Sequence, residues 1–130
     1  MTLNPAILRQ LRDSLAILAA APQDQAEYLR RKGVGVDELA LELDDAAEAV
    51  EAGWLHDEAA TAVRKVESRL TEMSGEANAQ LWIEPALFGA PEWGEVRKLV
   101  PRVRRCDVTG SRLDLTRAQI LAFRRQVGAP

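Results

Sequence analysis

Apolar residues recur at alternating steps of three and four along most of the chain up to Val100, and proline, glycine or aspartate punctuates each run. That period puts each set on one face of an α-helix and commits the chain to helices that bury one stripe apiece. Asn4 followed by Pro5 supplies a capping side chain and then a proline where its missing N–H costs nothing. Leu8, Leu11, Leu15 and Leu18 follow on one face, and Pro22 ends the run. A second helix over 22–32 stops at Gly33, which accepts the left-handed conformation that terminates helices. Asp37 is expected to cap a third helix over 37–52 carrying Leu39, Leu43, Ala46 and Val50, with Gly53 as its stop. Asp57 is expected to cap a fourth, with Ala59, Val63, Val66, Leu70 and Met73 on one face. These two stripes share a phase and predict an antiparallel helical hairpin. Leu39, Leu41 and Leu43 also alternate with period two, so a short strand stays open there.

Beyond Ser74 and Gly75 the pattern is less regular. A short helix is expected over 76–82, a single turn at Pro85, and a helix opened by Pro91 with Trp93, Val96 and Val100 on one face, ended or kinked by Pro101. Cys106 and Val108, then Leu113 and Leu115, flank Thr109-Gly110-Ser111 and permit a small β-hairpin within 103–115. Thr116 and Gln119 have capping-box spacing for a last helix carrying Ile120, Phe123 and Val127. Trp82, Phe88 and Trp93 are read first as a core plug, with an interface anchor as the alternative. The expectation is one all-α domain over 1–130, a small bundle of five to seven helices with at most a minor hairpin near the C-terminus.

Composition narrows the class. With 130 residues, 47% hydrophobic and 28% charged, the chain fits one globular domain rather than a disordered or membrane protein. A single cysteine, Cys106, excludes an intramolecular disulfide and agrees with a reducing compartment. The apolar stretch 15–21 follows Arg9, Arg12 and Asp13 and lacks the basic start and unbroken core of a secretory leader. No window approaches the roughly eighteen apolar residues that cross a bilayer, so a cytoplasmic location is expected and no membrane partner.

Catalytic chemistry finds little to stand on. His56, the one histidine, sits in an expected turn with no nucleophile set around it. Cys106 follows Arg104 and Arg105, which would activate an exposed thiol, although a free cysteine is more often buried. Thr109-Gly110-Ser111-Arg112 has one glycine and no lysine and is not a phosphate loop. Asp44-Asp45 and Asp57-Glu58 are neighbours that point apart on a helix and make poor acid/base pairs. Glu42 and Asp45 lack calcium-loop spacing, and one His with one Cys cannot build the usual zinc site. No catalytic residue, cofactor or metal is therefore assigned.

Tyr28-Leu29-Arg30-Arg31, the run from Asp37-Glu38-Leu39-Ala40-Leu41-Glu42 to Leu43-Asp44-Asp45-Ala46, Met73-Ser74-Gly75, Leu81-Trp82 and Pro91-Glu92-Trp93-Gly94-Glu95-Val96-Arg97 together resemble a group of small uncharacterised proteins from high-GC bacteria. The resemblance covers about 28–100. It implies a helical fold and brings no activity with it. Pro101 departs from the pattern at a point where the last helix of such proteins continues.

Charge layout is the most informative feature. From Gly33 to Val63 the chain carries Asp37, Glu38, Glu42, Asp44, Asp45, Glu48, Glu51, Asp57 and Glu58 with no Lys or Arg, whereas Arg97, Lys98, Arg102, Arg104, Arg105, Arg112, Arg117, Arg124 and Arg125 crowd the C-terminal part. A net charge of −3 conceals this polarity. The acids flank the apolar stripe of the third helix in two ridges, Glu38-Glu42-Asp45 and Asp44-Glu48-Glu51. Like charges three or four apart cost a helix roughly 0.2 to 0.5 kcal/mol per pair, so local stability does not explain them. Either the basic C-terminal region compensates them internally, or they form a docking face for a basic protein partner. The function expected is a non-enzymatic protein-binding module, of the kind an immunity protein or antitoxin represents, docking a basic partner such as a toxin through Asp37, Glu38, Glu42, Asp44, Asp45, Glu48 and Glu51. The alternative is a nucleic-acid-associated regulator using Arg104, Arg105, Arg112, Arg124 and Arg125, disfavoured by the acidic net charge and the absence of a recognition motif.

Overall fold

Asn4 opens the first helix as its sequence demands, its extended backbone letting the side-chain oxygen accept from the Ala6 N–H at 3.0 Å. The computed structural model describes residues 4–103, 107 and 108. Helices α1 (Pro5–Ala19), α2 (Pro22–Lys32), α3 (Glu38–Ala46), α4 (Glu48–Glu51), α5 (Asp57–Glu72), α6 (Glu84–Gly89) and α7 (Pro91–Leu99) account for most of them, with a 3₁₀ segment at Glu76–Trp82. The protein is an all-α bundle. Gly33 ends α2 in the left-handed region at φ 68°, and Gly53 makes the turn after α4 at φ 77°, positions where a Cβ would be strained.

Two helix starts differ from expectation. Asp37 has a helical backbone, φ −58° and ψ −22°, whereas a capping side chain needs an extended one, so it makes no side-chain cap. His56 rather than Asp57 is the extended residue before α5. Asp57 and Glu58 instead lie in the first turn, where the helix dipole favours their charge.

The helix expected over 37–52 is interrupted at Ala47, which closes a tighter turn by donating to the Asp44 carbonyl at 3.2 Å. Two forces favour the break. Asp44 and Asp45 crowd the last turn of α3, where the dipole is negative and no basic residue offsets it. Ala47 and Ala49 would also fall on nearly opposite sides of a continuous helix, yet both are buried here. The alternative strand at 39–43 is absent: Leu39 and Leu43 are buried in α3 and Leu41 stands out half-exposed.

The predicted α3/α5 pairing is present but secondary. α3 packs most extensively along α1, which also touches α2, α4 and α7, so α1 is the strut of the bundle. Leu8, Leu11, Leu15 and Leu18 are bulkier than the alanines and valines of α5, so leucine on leucine buries more surface. Val63, Val66 and Leu70 of α5 complete the same core.

Trp93 is fully buried and donates to the Leu81 carbonyl at 2.7 Å, while Trp82 donates to the Met73 carbonyl at 2.8 Å. The two rings meet edge to face with centroids 5.3 Å apart, so two of the three expected aromatics plug the core. Phe88 does not join them and is 57% exposed. Beneath α1, the buried Gln25 donates to the carbonyls of Ile17 and Leu18 and accepts from Arg97 at 2.8 Å, and Arg97 also donates to the Leu87 carbonyl. This network satisfies helix-end carbonyls that water cannot reach.

Leu55 pairs with Val108 in one antiparallel bridge, and the His56 N–H donates to the Asp107 carbonyl at 2.7 Å. The hairpin expected within 103–115 and the helix expected from Thr116 lie outside the described residues.

Candidate functional site

The two acidic ridges meet different neighbours. On one flank of α3, Glu42 points back to α2, where the Tyr28 hydroxyl lies 2.7 and 2.8 Å from its two oxygens and the Lys32 ammonium forms an ion pair with it. Tyr28 and Lys32 are one turn apart on α2, which is why one carboxylate reaches both. Burial and the hydrogen bond to Glu42 hold the Tyr28 hydroxyl above its usual pKa, and the hydrogen bonds to Glu42 and Tyr28 raise that of Lys32. The Glu42 side chain is 14% exposed. In the folded chain it ties α2 to α3.

The other flank has no such partner. Asp44, Glu48 and Glu51 on it, and Asp45 on the Glu42 ridge, are exposed and make no ion pair among the described residues. Asp44 and Glu51 face α5, and there they meet another acid: Glu67, whose carboxyl is pushed above its ordinary pKa by burial first and then by Asp44 and Glu51, with Arg64 opposing. Around these groups runs a groove of about 430 Å³ between α4 and α5. Ala47 and Val50 give it an apolar side, Glu51 and Glu67 its acidic walls, and Ser68 and Thr71 two hydroxyls. Arg64 is the one basic residue lining it, and Glu72 at its end is drawn to Arg69 at 3.6 Å.

Asp37 is exposed and Glu38 partly so, both at the start of α3, beyond the groove. Of the expected set only Glu51 lines the groove; Asp44 acts on Glu67 from beside it, Asp45 and Glu48 are exposed on the same α3–α4 segment, and Glu67 was not among the expected residues. Glu67 lies next to Val66 in the apolar stripe of α5, and its signal was that adjacency: a carboxylate at the edge of a buried stripe loses water.

Compensation by the basic C-terminal part is not seen among the described residues. Arg97 is turned inward to Gln25 and Leu87, and burial lowers its guanidinium pKa. Lys98 and Arg102 are exposed and make no ion pair with the acids of α3. Arg104, Arg105, Cys106, Arg112, Arg124 and Arg125 lie outside the described residues, and with them the expected nucleic-acid surface.

His56 is exposed, its backbone engaged with Asp107. Among the described residues no group of three or more His, Cys, Asp or Glu is placed to hold a metal ion, and no helix is long and apolar enough to cross a membrane. What the arrangement offers chemically is an anionic surface with an apolar seam, able to attract and orient a cationic segment. No family model, curated protein or solved structure matches the chain.

Proposed function

We propose that the protein is a non-enzymatic binding module whose α3–α4 face, extended by Glu67 of α5, docks a basic partner protein. The observation that carries this reading is the open groove between α4 and α5 walled by Glu51 and Glu67, with Arg64 as the one basic residue lining it, beside the exposed Asp44, Asp45 and Glu48. Repulsion among these carboxylates costs the free protein stability, and a cationic partner would relieve it on binding. In its more specific form the protein is an inhibitor of the immunity or antitoxin type, which covers the working surface of a basic toxin.

The test is recovery of partners from the native cell with the wild-type protein and with Asp44→Lys/Glu48→Lys/Glu51→Lys, both checked by circular dichroism. Glu42 is left intact because its reversal would break the α2–α3 tether. Loss of the specific partners from the folded triple variant is the expected result. Retention of the same partners with unchanged affinity would refute the acidic face as the docking site.

A further inference from the structure

A second surface of the chain has the opposite character. A groove of about 400 Å³ runs between the outer side of α1 and the strand of chain after α7, floored by Leu15, Ala16, Ala19, Val100 and Val103 and rimmed by Arg12 and Arg102. Arg12 and Arg102 are exposed and make no ion pair among the described residues. In sequence, Arg104 and Arg105 follow directly. An apolar floor between two unpaired cations suits an apolar knob flanked by carboxylates.

The chain carries such a knob. Leu41 stands 50% exposed on the outer side of α3, and Asp37, Asp44 and Asp45, at three or four residues from it, surround it on the same helix face. An isolated exposed leucine needs no explanation, but one beside unpaired acids is complementary in polarity to the apolar, cation-flanked groove on α1. The knob and the groove share no residue, so one molecule can offer both at once.

We propose that the partner of the acidic face includes a second copy of this chain: Leu41 of one copy enters the α1 groove of the next, with Asp37, Asp44 and Asp45 against Arg12 and Arg102. This rests on the reading of the α3–α4 face as a docking face and names a partner for it. The contact is heterologous, joining different patches of two identical chains, so it either closes a ring or extends a row. It is small and partly electrostatic, so self-association is weak and salt-sensitive, and a basic partner competing for the acidic face dissolves it.

The experiment is sedimentation velocity on the full chain at low salt over a concentration series, with circular dichroism on every variant. Wild type is expected to associate, and Leu41→Ser, Asp44→Lys/Asp45→Lys and Arg12→Glu/Arg102→Glu each to weaken that association roughly tenfold or more. The decisive arm mixes the two charge-reversed proteins. Each retains one native surface, and the two reversed surfaces are again opposite in charge, so the mixture should associate more strongly than either component alone. Wild type that stays monomeric at every concentration, or a mixture no more associated than its components, would overturn the proposal. A monomeric wild type whose triple lysine variant still loses its captured partners overturns this inference alone. A self-associating wild type whose variant keeps those partners upholds it and refutes docking of another protein on the acidic face.

Discussion

The two flanks of α3 treat the same kind of residue in opposite ways. Glu42 on the α2 side has a hydroxyl and an ammonium within hydrogen-bond reach, while Asp44 and Glu51 on the α5 side act on Glu67. The difference lies less in α3 than in what stands across from it. α2 ends in Arg30, Arg31 and Lys32, cations placed where its dipole favours them, whereas α5 presents a carboxylate to a carboxylate. A run of acids is thus neither wholly structural nor wholly functional, and the neighbouring helix decides which members are consumed by the fold.

The largest effect should come from beneath both flanks. Leu43 is almost fully buried between α3 and α1, and Leu43→Ala should cost about 2 to 5 kcal/mol in urea unfolding. A loss below about half a kcal/mol would mean that the α1–α3 contact is not the spine of the bundle. Next comes the paired flank. Tyr28→Phe removes the hydroxyl that Glu42 accepts from and should cost about 1 to 2 kcal/mol, because a hydrogen bond to a charged group is lost from a partly buried site.

On the unpaired flank the sign reverses. Glu67 has its native pKa above the unfolded value, so the folded protein takes up a proton first as pH falls. Its contribution is therefore destabilising above the raised value, is relieved as pH drops through it, and changes no further below the unfolded value. Glu67→Gln should stabilise the protein at neutral pH and flatten the pH dependence of stability in that window. An unaltered pH profile in the variant would show that Glu67 is not the group responsible.

Much of this architecture could be read from residue spacing, because helix starts and stops are local events. Asn4-Pro5, Pro22, Gly33 and Pro91 act within one turn of themselves, and the helices they delimit fall where their positions require. Buried stripes were legible for the same reason. The break at Ala47 was not, since it depends on both Ala47 and Ala49 finding cover in the folded molecule. Nor could the spacing of α3 and α5 alone reveal that α1, with its four leucines, competes for the α3 stripe and wins. The same limit holds for the candidate site. Glu42, one of seven acids in the expected docking set, could be recognised as a tether only after Tyr28 and Lys32 were brought beside it, and Glu67 only after Asp44 and Glu51 faced it.

If the acids of the outer flank lack partners in the folded chain and are kept for another molecule, the urea midpoint of Asp44→Asn/Glu48→Gln/Glu51→Gln will register it. One like-charge contact at helical spacing, Glu48 with Glu51 within α4, is relieved and is worth roughly 0.2 to 0.5 kcal/mol, and with it goes the repulsion of Asp44 and Glu51 on Glu67. The midpoint should rise at an unchanged slope. A lowered midpoint would show that these carboxylates already have stabilising partners within the native protein, and would contradict the account.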